Sequence, residues 1–237
     1  TALGNDHLKS AEECDDCNES FGQETEPSLI AMLDLQRVFL GTQGRGSNNG
    51  RPKLSFGRDT LMNDGKKVII QAHDVVEADD GALEVTLGSG TRLIPVAAYR
   101  ALVKVAIAVV DEEHLPDLKE SIEWVRYGTN TDRPLPLIAT STINLPPNPS
   151  AQISVYVRKQ PHDRLPHIVG EFRLGCYMFV FAVPFSARDS KNLVGFFDDA
   201  DFQDTFRHYF EATQWAHRDL SGVERVNLKP RLRLIQR

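Results

Sequence analysis

The sequence predicts an α+β fold, in which antiparallel strands pack on a buried helical pair. Strand-like segments separated by turn residues occupy 53–93, and a second group of such segments occupies 135–184. Between them, residues 95–125 carry apolar side chains at helical spacing. Strands and helices that cluster separately along a chain, rather than alternating strictly, are typical of the α+β class.

Composition limits the class of protein. The chain has 237 residues, of which 41% are hydrophobic and 25% are charged, as in an ordinary soluble domain. No apolar run reaches the roughly 18–20 residues that a membrane span requires, so no membrane partner is expected. Three cysteines, two of them at metal-binding spacing, argue against a disulfide framework and favour a reducing, cytoplasmic setting.

The first element is a pair of cysteines close to the start of the chain. Residues 2–5 read ALGN and residues 14–22 read CDDCNESFG. Two cysteines separated by two residues can turn both thiolates toward one ion, but a closed structural zinc site takes four ligands. The third cysteine, Cys176, lies far away in an apolar run. The pair is therefore either half of a zinc site or two free thiols of a reduced protein.

These residues resemble the second half of an HNH endonuclease module, in the branch that ends in C-x-x-C-N-x-x-F-G. In that family a first C-x-x-C lies upstream, followed by an acidic residue and a histidine, and then by a stretch similar to residues 2–5. The resemblance covers about the first 22 residues. It implies a remnant ββα-metal (zinc-knuckle) module with a connecting helix at residues 1–40, and we expect the rest of the module to precede Thr1.

The resemblance implies metal-assisted hydrolysis of DNA phosphodiester bonds, with a histidine as general base and Mg2+ or Mn2+ at the scissile phosphate. Carried over by position, Cys14 and Cys17 are structural zinc (Zn2+) ligands, and Asn18 binds the catalytic ion. The middle asparagine of the motif has no counterpart, because its place falls near Lys9 or Ser10. The general base is also missing and is expected upstream of Thr1, so the chain as given is expected to be inactive.

The charge distribution supports an alternative. The net charge is −6, but residues 1–26 carry eight acidic residues and one basic residue, which leaves the remainder at +1. An acidic knuckle is a poor surface for a phosphate backbone, which attracts Lys and Arg. The alternative is a non-catalytic nucleic-acid-binding or protein-interaction module with a degenerate zinc knuckle.

Four arginines are candidate contacts to nucleic acid. Arg45 and Arg51 belong to a Gly/Ser/Asn-rich stretch, residues 41–52, that is predicted to be a linker loop. Arg231 and Arg233 lie in a basic C-terminal segment, which could equally be an edge strand whose charges block pairing with other chains. DNA is the expected partner, and the oligomeric state stays open, a homo-oligomer included.

Local patterns predict the next elements in order. A helix is expected over 25–39, because Thr25 can cap it and a proline follows in its first turn. Asn-Asp-Gly at 63–65 and Asp-Asp-Gly at 79–81 predict two hairpin turns in the domain at residues 53–237. The helix that begins at Pro95 leaves little polar face beyond Arg100 and Lys104.

A second helix is predicted over about 111–125, with Trp124 at the margin of its apolar side and Gly128 at its end. Pro116 predicts an interruption and a new start near that residue. Strands are expected at 135–143, 153–158, 168–174 and 177–184, followed by a short helix with an aromatic stripe from Phe202. Cys176, among aromatic residues, is expected to be a buried and inert thiol.

Two histidine-containing segments complete the candidates. His162, Asp163 and His167 fall in one loop with Arg164, which could form a weak metal or phosphate site or simply a solvated turn. His7 follows an aspartate, as the catalytic pair of the family does. It stands only seven residues before the cysteine pair, too close for the intervening hairpin, so a solvated loop histidine is expected.

Overall fold

The computed structural model describes residues 15–41, 52–90, 92–129, 132–142, 148–162, 164–189, 193, 195–205 and 215–235. The helices within these ranges are α1 (Asp15–Glu24), α2 (Glu26–Leu40), α3 (Pro95–Ile107), α4 (Lys119–Tyr127) and α5 (Ala200–Thr205). Short 3-10 helices lie at Glu112–Leu118 and Phe196–Asp198. None of the described helices is long and apolar enough to cross a bilayer.

The strands of the described ranges form antiparallel sheets. They are β1 (Lys53–Phe56), β2 (Asp59–Asn63), β3 (Val68–Gln71), β4 (Asp74–Glu77), β5 (Leu83–Thr86), β6 (Arg92–Leu93), β7 (Ile138–Thr142), β8 (Asn148–Val157), β9 (Ile168–Gly175), β10 (Tyr177–Ala182), β11 (Trp215–Arg218), β12 (Val226–Asn227) and β13 (Arg231–Leu234). Mixed helices and antiparallel strands confirm the α+β class.

The main sheet has five strands in the order β11-β7-β10-β9-β8. Because successive side chains of a strand point to opposite faces, this sheet supports two cores. Phe172 and Phe181 belong to the larger core, which lies on the helical side. Val169 and Val180 belong to a smaller core on the other face, where Phe196 packs against them. The sheet is therefore covered on both faces over part of its width.

The helical layer contains one member more than the predicted pair. Helix α3 is as buried as its sequence predicts, and it contacts both α4 and α2. Leu33 of α2 and Leu102 of α3 are fully buried in the same core. The prediction for Trp124 is wrong, because only 1% of this residue is exposed. Its ring packs edge-on against Tyr99 at 5.6 Å, which draws it into the core.

The helical region over 111–125 is interrupted near Pro116, as predicted. A 3-10 helix runs through Pro116, which has no N–H to donate to a preceding turn, and α4 starts only at Lys119. Gly128 ends α4 with a left-handed φ of 65°, as predicted. Arg100 completes this end by donating from Nη2 to the Val125 carbonyl at 2.8 Å. The polar stripe of α3 thus caps its neighbour rather than facing water alone.

Two smaller sheets, β1-β2-β3 and β13-β5-β4, enclose a third core together with the end of α2. Both predicted hairpin turns are confirmed, and each uses a glycine at positive φ, Gly65 at 88° and Gly81 at 76°. The C-terminal segment is an edge strand, β13, as one of the two alternatives predicted. Val85 of β5 and Leu61 of β2 lie at the centre of this third core.

Two further predictions need correction or restriction. Cys176 is of intermediate exposure rather than buried, because it forms the tight turn between β9 and β10. The aromatic helix is present as α5, with Phe202 buried, but the rest of its predicted stripe, Phe206, Tyr209 and Phe210, lies outside the described residues.

Candidate functional site

The motif that carries the family resemblance leads directly into α1. Cys14 lies outside the described residues, and α1 begins at the next position, Asp15. The backbones of Cys17 and Asn18 therefore lie in the first turn of the helix. The knuckle itself stays a prediction, because the Cys14 residue and the Cys17 side chain are not described.

The same motif contributes the residue that fixes α1 to the domain. Phe21 is 7% exposed and belongs to the largest core. Lys104 Nζ of α3 lies 4.4 Å from the centroid of the Phe21 ring and 3.2 Å from Glu26 Oε1. Thr25 is fully buried, and its hydroxyl donates to the Phe21 carbonyl at 3.2 Å. Helix α1, which carries Cys17, therefore packs directly against the core of the domain.

The predicted metal ligands remain predictions. Within the described part of the chain, no three His, Cys, Asp or Glu side chains lie together in a way that could hold a metal ion. Of the predicted ligands, Cys14 falls outside that part, and Cys17 and Asn18 are described by their backbone alone. Their donor chemistry nevertheless suits the proposed ions, since thiolates favour Zn2+ and an amide oxygen suits Mg2+.

The candidate DNA-contacting arginines are differently placed. Arg45 and Arg51 lie outside the described residues. Arg231 is exposed on β13, the edge strand of its sheet. Arg233, two residues further, pairs with Glu84 at 3.3 Å and with Asp80. The charge of Arg233 is therefore offset by two carboxylates, whereas Arg231 is open to an approaching phosphate.

The structure separates the histidines that the sequence places in one loop. His162 Nδ1 accepts the backbone N–H groups of Arg164 and Leu165, each at 3.1 Å, and so closes its own turn. His167 instead is fully buried, and its Nδ1 lies 2.7 Å from Ser186 Oγ. Asp163 lies outside the described residues. The two rings do not converge on a common metal or phosphate ligand.

His167 belongs to a buried polar cluster that sequence inspection did not reveal. The carboxylate of Asp189 accepts the backbone N–H of His167 at 2.6 Å and that of Ser186 at 3.1 Å. Phe185, just before Ser186, is the only non-glycine residue at positive φ in the described ranges, at 67°. The ring of His114 packs edge-on against His167 with centroids 5.5 Å apart. The residues come from three separate segments, and no local spacing links them.

Burial sets the charge states in this cluster. Burial, followed by the positive charge of Arg188, lowers the pKa of His167 to about 4, so the imidazole is neutral at pH 7. Burial raises the pKa of Asp189 to about 6, although its two backbone hydrogen bonds act in the opposite direction. Ser186 Oγ accepts the backbone N–H of Arg188 at 3.3 Å, which leaves its hydroxyl proton available to His167 Nδ1.

The cluster has the residue types of a hydrolase site but not its geometry. A nucleophile and its base must be accessible to substrate, whereas His167 has no exposed surface and Ser186 only 6%. Asp189 bonds backbone amides rather than the imidazole, so it does not orient the ring as a catalytic triad requires. Arg158 joins the same loops by donating to the carbonyls of His162 and Arg188. We conclude that this cluster holds the loops at 158–167 and 184–189 together.

A groove lies along the last two strands of the main sheet, β8 and β9, and its polar side chains stand on the sheet face opposite the helices. It has a volume of about 530 Å³ and is lined by Val109, Gln152, Ile153, Ser154, Tyr156, Glu171 and Arg173. Its polar side chains alternate along β8 and β9, and the register places Gln152 opposite Arg173 and Ser154 opposite Glu171. The alternation was visible in the sequence, but the pairing of the two strands was not.

Comparison with known proteins returned no relative. No protein-family model, no curated protein and no solved structure matches this chain.

Proposed function

We propose that the chain belongs to an HNH-type, metal-dependent endonuclease that hydrolyses DNA phosphodiester bonds, with its general-base histidine upstream of Thr1. The main supporting observation is the start of α1 at Asp15, directly after Cys14. Cys17 and Asn18 thus lie in the first turn of a helix, and this supports a cysteine pair whose turn leads into a helix.

In this proposal the cysteines and the asparagine have separate tasks. Cys14 and Cys17 supply two thiolates to a structural zinc ion, and a second C-x-x-C pair supplies the others. Asn18 offers an amide oxygen to a catalytic Mg2+ or Mn2+, which would stabilise the charge that develops on the scissile phosphate. The rigid support for Asn18 comes from Phe21, one turn further along α1, because that ring is held in the core.

The remainder of the domain would bind DNA and would not take part in the cleavage reaction. Outside residues 1–26 the chain carries a net charge of +1, so any phosphate contact must come from local cations. Of the two candidate arginines that the structure describes, Arg231 is the better placed, because it is exposed on an edge strand and Arg233 is already paired with carboxylates.

The alternative function, a binding module without catalysis, is favoured by the acidic character of the motif region. Eight of the first 26 residues are acidic, and Glu19 and Glu24 of α1 are exposed. A surface of that sign repels a phosphate backbone unless metal ions intervene. The alternative and the nuclease therefore make different predictions for cleavage.

The test uses the natural protein, including whatever residues precede Thr1, with supercoiled plasmid and Mg2+ or Mn2+. We expect nicking that a chelator abolishes, and we expect the change Cys17→Ser to remove it together with bound zinc. Cys176→Ser is the matched control, because this thiol is far along the chain at a sheet turn, and it should leave both unchanged. Metal-independent or absent cleavage would refute the nuclease, and binding without cleavage would support the alternative.

A further inference from the structure

The groove beside β8 offers polar side chains on the sheet face that carries the smaller apolar core. On the same face, Val169, Met178 and Val180 pack beneath Phe196 and Phe202 in the smaller core. The groove begins where this aromatic cover ends, toward β8, which is the last strand of the sheet. Among the described residues no strand pairs with the outer edge of β8.

The floor of the groove offers hydrogen bonds without net charge. Glu171 is only 1% exposed, and its Oε1 lies 2.5 Å from Arg173 Nη2. The hydroxyl of Tyr156 donates to Glu171 Oε2 at 3.3 Å. Because the carboxylate and the guanidinium neutralise each other, the floor favours a neutral ligand with both donors and acceptors over a phosphate.

The walls add an aromatic ring and an amide. Tyr156 is 38% exposed, and Gln152 and Ser154 lie on the same face of β8, four and two residues before it. A volume of about 530 Å³ falls in the range of small-ligand sites. An exposed aromatic ring on a sheet, next to side chains that hydrogen-bond in both directions, is the combination that binds an unstacked base.

We propose that this groove binds the base of an unpaired nucleotide in a single strand. The base stacks on Tyr156, and its polar edge contacts Gln152 and Ser154, while the Glu171–Arg173 pair forms the floor. This site is separate from α1, and the proposal does not depend on the nuclease activity proposed above.

The test is binding of a fluorescently labelled single-stranded oligonucleotide to the chain in the presence of a chelator, measured by anisotropy. Tyr156→Ala should weaken binding at least about fivefold, because stacking is lost. Tyr156→Phe keeps the ring and should stay within about twofold. Tyr127→Ala is the matched control, since this tyrosine is 72% exposed on α4 and does not line the groove. An uncharged nucleoside should compete for the site.

Three results would overturn the proposal: unchanged affinity in Tyr156→Ala, equal affinity for an oligonucleotide without bases, or competition by a neutral oligosaccharide instead of a nucleoside. If thermal unfolding shows that Tyr156→Ala is misfolded, Gln152→Ala becomes the test variant. It removes the amide contact to the base and leaves the fold of the groove intact. Gln152→Ala should change the relative affinities of the protein for single-stranded oligonucleotides that each contain one type of base. Unchanged relative affinities would count against the site. The binding assay contains a chelator throughout, so it does not depend on the metal ion that the proposed nuclease needs. A negative binding result would therefore leave the nuclease proposal untouched.

Discussion

The ammonium group of Lys104 lies 4.4 Å from the centroid of the Phe21 ring. This contact joins α3, the most buried helix, to the helix that carries the cysteine motif. Lys104 also reaches Glu26 Oε1 at 3.2 Å, so one cation bridges the motif helix and the start of α2. An aromatic ring at this motif position therefore has a packing task in this chain, independent of any metal.

Replacing Phe21 by alanine should destabilise the domain strongly. The ring is 7% exposed in the largest core, and removing a buried phenylalanine costs about 3–5 kcal/mol. Urea denaturation followed by tryptophan fluorescence measures the change. Phe39→Ala is the control, because that ring is 37% exposed on α2 and should cost far less. Equal effects of the two changes would mean that Phe21 does not anchor α1.

Two glycine substitutions should change stability in opposite directions. A Cβ at Gly170 would lie 2.5 Å from Phe181 Cζ, so Gly170→Ala forces a core ring to move and should cost about 1–3 kcal/mol. Gly22 lies inside α1, with no atom within 4 Å of an added Cβ. Gly22→Ala should stabilise the helix by about 0.5–1 kcal/mol. Denaturation midpoints that shift in the same direction would contradict this packing.

The buried cluster around His167 predicts two opposed dependences of stability on pH. The pKa of His167 is lowered to about 4, so between pH 4 and its ordinary value near 6.5 only the unfolded state binds the proton. Its contribution to the free energy of unfolding therefore rises with pH over that window. The pKa of Asp189 is raised to about 6, so the folded state keeps its proton longer, and this contribution falls as pH rises from about 4 to 6.

Single variants separate these two effects in urea titrations at pH 4.5, 5.5, 6.5 and 7.5. The free energy of unfolding of the wild type should exceed that of His167→Gln by a margin that increases as the pH rises from 4.5 to 6.5. The difference between the wild type and Asp189→Asn should change in the opposite sense between pH 4.5 and 6. Differences that stay constant across this range would show that neither group titrates in the way its burial implies.

Arg231→Ala should weaken binding to duplex DNA and reduce the dependence of log affinity on log salt concentration by about one unit, if Arg231 contacts a phosphate. Arg233→Ala should have the smaller effect on binding, because this guanidinium already pairs with Asp80 and Glu84. Anisotropy titrations at several salt concentrations measure both changes. An equal salt dependence in Arg231→Ala and the wild type would remove this residue from the interface.

Elements set by local chemistry could be predicted from the sequence. Gly65 and Gly81 occupy turn positions with positive φ, and Gly128 ends α4 in the left-handed region, where glycine is strongly favoured. The helix from Pro95 was also predictable, since its apolar residues continue around most of its circumference. Each of these features is determined by residues that lie within a few positions of each other in the sequence.

Features that depend on distant contacts were not predictable in the same way. The sequence pattern puts Trp124 at the edge of the apolar face of α4, whereas in the structure Tyr99 and Phe185 from other elements cover it. The Ser186–His167 contact joins residues 19 positions apart across two strands. The groove likewise needs the register of β8 against β9, which periodicity does not supply. The zinc and catalytic-metal ligands stay predictions, because they rest on the motif alone.

The pairing of β5 with the distant strand β13 affects how the protein folds during its synthesis. One of its two neighbours in the sheet is β13, and the contacting residues Glu84 and Arg233 stand 149 positions apart. A ribosome needs on the order of ten seconds to polymerise that distance. Throughout this interval one edge of β5 has no native neighbour and is open to chaperones or to strands of other nascent chains.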